Sequence, residues 1–287
     1  MTVSVAYLGP PGTYTEQAAL AYVSRVHGGM GEAILCPCPS IAQTLRAVSQ
    51  AQAQLAVVPV ENSIEGGIAV TLDMLWQLDT LQIQLALVMP IAHALLSCAP
   101  SLEGVQTVYS HPQALAQCQG WLEQFLPTVQ LIPTNSTTEA LQQIEQDRSA
   151  GAIASLRAAQ LYNLPALASA INDYPDNCTR FWVIGKGDSL ASKHQVSPSG
   201  THTSIAFSLA ANVPGALVKP LQVFAQRGIN LSRIESRPSK RALGDYLFFI
   251  DLEANVGSLT VGAALVELAA YTEILKLFGS YSVLRID

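Results

Sequence analysis

Four polar segments of the sequence carry the side chains that could do chemistry. Each of them follows or enters an apolar run that predicts a β-strand. They contain carboxylates, amides, hydroxyls, a histidine and an arginine, and such groups can hold and polarise a small anionic ligand. Ligands of α/β proteins bind at the ends of strands, so we expect the four segments to meet at one cleft. They are Gly9 to Thr15, Val60 to Gly67, Tyr109 to Gln113 and Asn177 to Phe181.

The first segment lies between a predicted strand, Val3 to Leu8, and a predicted helix. Gly12 lets the backbone approach an anion closely, and the amides of the helix start, from Thr13 onward, are donors. Thr13 and Glu16 also form a capping pattern, in which each side chain accepts from a backbone amide. An ordinary capped turn uses the same residues, so the anion site depends on the other segments.

The second segment places Glu61, Asn62 and Ser63 directly after an apolar strand, Leu55 to Val60. The solubility of a loop explains their polarity, but not so many kinds of hydrogen-bonding group at one strand end. We therefore favour a functional site at this position.

The third segment offers Ser110 and His111 just before a predicted helix. Gln117 lies one helical turn beyond Gln113, on the same face, so these groups can address one ligand. A lone histidine at a helix start is as often structural, which leaves both interpretations open.

The fourth segment contains Thr179, Arg180 and Phe181 at the entry to a strand that continues to Gly185. A plain strand entry with a surface arginine has the same pattern, so this segment gains its weight from the others.

Composition and length exclude several classes of protein. With 287 residues, we expect at least two compact units. Only 13% of the residues are charged and 49% are hydrophobic, which favours large buried interfaces and an oligomer. A net charge of -6 without dense Lys/Arg runs argues against nucleic acid or anionic membrane as partners. Five scattered cysteines and the lack of a signal-peptide pattern predict a cytoplasmic protein with reduced thiols.

The order of apolar runs predicts two different units. Up to residue 187, short apolar runs alternate with amphipathic stretches, as in an α/β region with a mostly parallel sheet. Residues 188–201 lack a sustained apolar period and contain four serines with Pro198 and Gly200, which predicts a linker. Residues 202–287 predict the order βαββαβ of a ferredoxin-like domain.

Six ordered motifs, which together cover nearly the whole chain, resemble those of prephenate dehydratase with an attached ACT domain. Four belong to the first unit and two to the second. They are L-G-P-P-G-T-Y-T-E-Q-A-A (Leu8 to Ala19), V-P-V-E-N-S-I-E-G-G (Val58 to Gly67), Y-S-H-P-Q (Tyr109 to Gln113), N-C-T-R-F (Asn177 to Phe181), N-V-P-G-A-L-V (Asn212 to Val218) and E-S-R-P (Glu235 to Pro238).

The resemblance implies a catalytic region, residues 1–187, with two lobes similar to type II periplasmic binding proteins and the substrate between them. Lobe one would comprise about 1–76 and 180–187, lobe two about 77–179, and Leu81 to Leu96 would be the outgoing hinge strand. Since the matching pattern begins at residue 3, we expect a monofunctional enzyme without a chorismate mutase segment.

The implied reaction is the decarboxylative dehydration of prephenate to phenylpyruvate in phenylalanine biosynthesis, without a metal or organic cofactor. By resemblance, Thr179 would hydrogen-bond or protonate the leaving hydroxyl. Asn62, Ser110 and Gln117 would orient the substrate, and Glu61 would fix Asn62 or restrain a loop. The substrate-binding residues would be Gly12, Thr13, Ser63, His111, Arg180 and Phe181, of which Arg180 and the amides around Gly12 and Thr13 would offset the substrate's charge.

The ACT resemblance implies feedback inhibition by L-phenylalanine and a homodimer or homotetramer, with the pocket between two such domains. We expect Pro214 and Gly215 to begin a helix whose free amides bind the effector's carboxylate, with Leu217 and Val218 beside its side chain. The full set of expected phenylalanine-binding residues is Asn212, Pro214, Gly215, Ala216, Leu217, Val218, Glu235, Ser236, Arg237 and Pro238.

Two alternatives stay open at the level of sequence. An arogenate dehydratase performs the same elimination on the transaminated substrate, and the sequence does not separate the two. A non-catalytic amino acid sensor could share the fold, because fold does not dictate function. A mere binder would not require Glu61, Asn62 and the element Thr179 to Phe181.

Overall fold

The computed structural model describes residues 2–26, 33–134, 139–187 and 200–286, so most of the predicted linker, 188–199, lies outside the described residues. The strands are β1 (Val3–Leu8), β2 (Ala33–Cys38), β3 (Leu55–Asn62), β4 (Gly66–Gly67), β5 (Leu81–Pro90), β6 (His93–Ser97), β7 (Thr107–Ser110), β8 (Gln130–Pro133), β9 (Ala150–Ser155), β10 (Ala166–Ser169), β11 (Cys178–Lys186), β12 (His202–Ser208), β13 (Leu231–Pro238), β14 (Tyr246–Leu252) and β15 (Ile274–Arg285). The helices are α1 (Tyr14–Val26), α2 (Ile41–Ser49), α3 (Ala69–Gln77), α4 (Pro112–Ala116), α5 (Gln119–Phe125), α6 (Leu141–Gln146), α7 (Leu156–Leu161), α8 (Val218–Ala225) and α9 (Leu259–Ala269).

The strands form two sheets. The first has the order β13-β14-β12-β15-β5-β11-β3-β1-β2, with the short β4 folded back on β3. The second has the order β10-β6-β9-β7-β8. Lobe one and the C-terminal domain share the first sheet, because β15 pairs in parallel with β5. The second sheet forms lobe two.

Lobe one has apolar layers on both faces of its sheet. The strand β3 begins with six fully buried residues, which is the pattern of a strand covered on both sides. On one face α1 contributes Ala18, Ala19 and Val23 to the core, and on the other α2 contributes Leu45 and Val48. This packing fixes the polar ends of β1, β3 and β11 at one edge.

The boundary between the lobes differs from the predicted one. The division after residue 76 assigned β5 to lobe two, whereas its antiparallel pairing with β11 places it in the sheet of lobe one. The predicted hinge strand is therefore two strands, β5 and β6, which lie in different sheets. The outgoing and returning crossings run side by side, since the Ile91 amide donates to the Asn177 carbonyl at 2.8 Å.

The C-terminal domain has the predicted order βαββαβ. The helices cover one face of its sheet, where Phe207 and Ile250 pack with Phe224. The other face rests on lobe one, where Phe249 shares a core with Trp182. Among the described residues, no helix is long and apolar enough to cross a membrane.

The first helix of this domain starts later than predicted. It begins at Val218 rather than at Pro214, and residues 214–217 form a turn. Gly215 has a φ of 80°, a left-handed conformation that interrupts a helix. The expectation that Pro214 and Gly215 present the free amides of a helix start is therefore wrong.

Candidate active site

A cavity of about 850 Å³ lies where the two lobes face each other. Its walls come from the β1–α1 turn, the end of β3, the outgoing crossing, α4 and the start of β11. Of the residues predicted from the sequence, six line it: Thr13, Asn62, His111, Gln117, Thr179 and Phe181. Segments that are far apart in the chain thus converge on one cleft.

Asn62 and Thr179 form the central pair of this cleft. They lie opposite each other on β3 and β11, and the Asn62 amide Nδ2 donates to Thr179 Oγ1 at 2.9 Å. The orientation of the amide is fixed, because its Oδ1 accepts from the backbone amides of Ile64 at 3.0 Å and Glu65 at 3.1 Å. Since Thr179 Oγ1 accepts from Asn62, its hydroxyl proton can be donated to a ligand in the cleft.

A chain of hydrogen bonds extends from this pair into lobe two. Asn62 Nδ2 also donates to Asn177 Oδ1 at 2.8 Å, and Asn177 Nδ2 donates to Gln117 Oε1 at 3.0 Å. The same Gln117 oxygen lies 3.0 Å from His93 Nε2, and His93 Nδ1 lies 3.0 Å from the Tyr14 hydroxyl. The chain therefore connects Thr179 in the first sheet to the helix start of α1 through lobe two.

Three members of this chain were not among the predicted site residues. They are Tyr14 and Asn177, which lie inside quoted motifs, and His93, which lies outside all of them. A usable signal existed for His93, because it is an ionisable residue in an otherwise apolar strand. It is 3% exposed, and a polar group so buried needs partners.

The neighbours of His93 fix the role of one ring nitrogen. Gln117 Oε1 can only accept, so His93 Nε2 donates to it. On the other side of the ring, the Tyr14 hydroxyl lies 3.0 Å from Nδ1 and donates to the Ala92 carbonyl at 2.8 Å. Burial lowers the pKa of His93, while its hydrogen bond to Gln117 acts in the opposite direction. The lowered pKa therefore favours the neutral ring.

Stability should fall in acid because of one buried histidine, His93, and two half-buried ones, His111 and His202. Burial lowers the pKa of His93, His111 and His202, so the unfolded chain binds protons at a higher pH than the folded chain. The contribution is complete above the ordinary histidine pKa of about 6.5 and is lost as pH falls through the lower folded values. Urea unfolding at a series of pH values should show this slope, and His93→Gln should reduce it; identical slopes in both proteins would contradict the expectation.

The β1–α1 turn caps its helix, and one of its backbone amides is bonded within the turn rather than free for a ligand. As predicted, Thr13 Oγ1 accepts from the Glu16 amide at 3.3 Å. The Glu16 carboxylate accepts from the Gly12 amide at 2.7 Å, and the Gly12 carbonyl accepts from Ser155 of lobe two at 3.0 Å. The predicted role of the Gly12 amide toward a ligand is therefore wrong, and Gly12 instead connects the lobes.

Two predicted serines lie behind the cavity wall. Ser110 is fully buried and donates to the Ile153 carbonyl at 2.6 Å. Ser63 donates to Asn177 Oδ1 at 3.2 Å and accepts from the Cys178 amide at 2.9 Å. Both hold the backbone near the site, and neither belongs to the cavity lining.

Arg180 and Glu61 point to the other side of the sheet. Thr179 and Phe181 line the cavity. Because successive residues of a strand point to opposite faces of the sheet, Arg180 lies on the face away from the cavity. Arg180 is 3.6 Å from Glu61 and 3.5 Å from Asp251 of the C-terminal domain. Its predicted contact with a ligand in the cleft is therefore wrong.

The ten residues predicted to bind phenylalanine separate into two groups. Asn212, the turn 214–217 and Val218 lie at one end of the domain, where Asn212 Nδ2 donates to the Gly244 carbonyl at 3.0 Å. On β13, Ser236 and Pro238 are exposed. The other two residues of this strand, Glu235 and Arg237, face lobe one. Arg237 donates to the Asp73 carboxylate, and the Glu235 carboxylate lies against Gly67.

Comparison with known proteins agrees with both units. Residues 5–189 match the family model for prephenate dehydratase, and residues 203–269 match the ACT domain. A bifunctional chorismate mutase/prephenate dehydratase of Aquifex aeolicus is 46% identical over 97% of this chain and 73% of that protein. A prephenate dehydratase of Methanocaldococcus jannaschii is 38% identical over 99% of each chain.

Two solved structures superpose along almost the whole chain. A prephenate dehydratase of Arthrobacter aurescens in complex with L-Phe is 34% identical, with a TM-score of 0.84, over 98% of this chain and 90% of that one. GqqA, described as a novel type of quorum quenching acylase, is 27% identical, with a TM-score of 0.82, over 98% of each chain.

Proposed function

Because the chain belongs to the prephenate dehydratase family, we propose that it converts prephenate to phenylpyruvate, carbon dioxide and water. The observation that carries the proposal is the Thr179 hydroxyl, which faces the cavity while its oxygen accepts from Asn62. This arrangement leaves one proton to be donated at the point where a leaving hydroxyl would bind.

The reaction requires that the substrate is held in the right orientation and that one group donates a hydrogen bond to the leaving hydroxyl. The bond between the ring and its carboxylate breaks, its electron pair enters the ring, and the hydroxyl at the opposite ring carbon leaves as the ring becomes aromatic. Thr179 donates a hydrogen bond to that hydroxyl, and one proton converts it to water. The cleft holds the substrate with its two leaving groups oriented for this elimination.

We propose that backbone amides and a neutral histidine, rather than a cationic side chain, bind the dianion in a cavity whose wall also includes Glu65. Among its described lining residues there is no lysine or arginine. His111 Nδ1 accepts from the Gln113 amide at 3.2 Å, so its neutral ring carries a proton on Nε2. Burial lowers the pKa of His111, which favours that neutral form. We assign this Nε2–H and the amides of the α1 start, beginning with Thr13, to the carboxylates.

The acylase reaction suggested by one structural relative is disfavoured by the same geometry. A threonine nucleophile needs an adjacent base to take its proton. The described partner of Thr179 is the Asn62 amide, which is a donor. Thr179 is therefore arranged to give a hydrogen bond rather than to attack a carbonyl group.

The C-terminal domain is proposed to bind L-phenylalanine and inhibit the enzyme. The support is its ACT match and the L-Phe bound to the Arthrobacter relative. We also propose that the protein forms a homodimer or homotetramer in which the effector binds between two ACT domains. A cytoplasmic location also belongs to it, supported by the five cysteines, all of which are free of disulfides.

Purified protein should form phenylpyruvate when it is mixed with prephenate, and added L-phenylalanine should lower the rate. Arogenate in a parallel reaction separates the closest alternative, since an arogenate dehydratase would produce phenylalanine. Turnover of neither compound, with phenylalanine still bound in calorimetry, would instead identify an amino acid sensor.

A further inference from the structure

The rear of the catalytic strand pair carries a second pair of side chains. Directly after Thr179 and directly before Asn62, Arg180 and Glu61 lie opposite each other on the same two strands. The register between β3 and β11 shifts immediately beyond Arg180, which marks a β-bulge at the site. Any displacement of Arg180 or Glu61 thus acts on the backbone that carries the catalytic pair.

This rear pair is held by the ACT domain. The Asp251 carboxylate of β14 lies 3.5 Å from Arg180 and is fully buried. It also accepts from Arg233 Nε at 2.8 Å and from the Ser204 hydroxyl at 2.5 Å. Arg233 stacks over Trp182, 5.3 Å from the ring centre, two residues beyond Arg180 on β11.

A second contact reaches the loop on the other side of Asn62. Strand β4 pairs with the end of β3, with Gly67 opposite Glu61 and Gly66 opposite Asn62. The Glu235 carboxylate of the ACT domain fills the space where a side chain on Gly67 would lie. The ACT sheet therefore touches the loop that supplies Asn62's backbone donors as well as the strand pair itself.

Buried charges give these contacts their strength. Inside a protein, ionic interactions are weakly screened, and each charge depends on the partner that remains in place. Arg233 pairs with Asp251 inside the ACT domain, whereas Arg180 reaches Asp251 only when the ACT sheet is docked on lobe one. A shift of that sheet would leave Arg180 with Glu61 alone.

We propose that Arg180 and Glu61 are positioning residues for the Asn62–Thr179 pair, and that Asp251 of the ACT domain holds them in place. The position of the ACT sheet then sets the geometry of the catalytic pair from behind. The kinetic consequence rests on the proposed function, whereas the structural consequence does not.

Hydrogen exchange of the loop tests the proposal without using turnover. The amides of Ile64 and Glu65 bond to Asn62 Oδ1, so their exchange in a peptide covering residues 61–67 reports directly on Asn62. Asp251→Asn, a change in the other domain, and Arg180→Met should each speed this exchange by about tenfold. Arg180→Lys, which keeps the charge, should restore most of the protection.

A matched variant separates this effect from a general loss of stability. Arg227→Met removes an arginine that pairs with Glu267 within the ACT domain, and should leave loop exchange unchanged. In parallel, prephenate turnover by Asp251→Asn and Arg180→Met should show a kcat about tenfold lower, with KM changed much less. Loop exchange close to that of the parent in both variants, or protection lost equally in α1, would overturn the proposal. Failure of the parent to act on prephenate would instead remove the proposed function and leave the exchange result decisive.

Discussion

Replacement of Thr179 by valine should lower kcat by about a hundredfold to ten-thousandfold, the usual range for a group that assists proton transfer. Valine has nearly the same shape, so the strand β11 and its neighbours keep their packing. The variant loses the hydroxyl that accepts from Asn62 and faces the cavity. Steady-state formation of phenylpyruvate from prephenate measures the loss.

Thr179→Ser is the matched control, because it keeps the hydroxyl and removes only a methyl group. Its kcat should stay within about tenfold of the parent. A small loss is expected because the serine side chain rotates more freely about χ1 than threonine and must lose that freedom to present its hydroxyl. Circular dichroism and a thermal melt should show all three proteins folded. Near-parental kcat in the valine variant would remove Thr179 from the mechanism.

The sequence predicted part of the order of the elements. Short apolar runs after capping residues predicted β1, β3 and the βαββαβ order, because burial and capping act locally. It did not show that β5 pairs with β11 or that β15 extends the same sheet, since pairing depends on distant segments. The late start of α8 depends on the left-handed Gly215, whose conformation the pattern N-V-P-G does not specify.

For the site, the sequence predicted the segments better than the side chains. All four segments reach the cleft, yet Arg180 was placed beside Thr179 when alternation along a strand should have separated them. Gly12 was expected to bind an anion, but the Glu16 carboxylate already occupies its amide. Tyr14 and His93 join the site through contacts between the lobes. A histidine in an apolar strand signals a polar group that needs partners, but the sequence does not say which partners those are.

Replacement of Asn62 by aspartate should lower kcat by about a hundredfold or more, comparable to the loss of a positioned donor. The change keeps size and shape, and the remaining Oδ1 can still accept from the Ile64 and Glu65 amides. The donor to Thr179 becomes an acceptor, so the Thr179 proton turns toward the new carboxylate and away from the substrate. The added negative charge also repels a dianion, and KM should rise.

Asn163→Asp provides the control for charge alone, because it makes the same change at an exposed position between α7 and β10. It should leave kcat and KM close to the parent values. Parallel assays of both variants across prephenate concentrations separate the two effects, and hydrogen exchange of residues 61–67 checks that the loop keeps its structure. A kcat for Asn62→Asp within about threefold of the parent would show that the direction of the Asn62–Thr179 hydrogen bond does not matter. The assignment of Thr179 as the donor to the leaving hydroxyl would then have to be given up as well, because that assignment depends on Asn62 supplying the other proton.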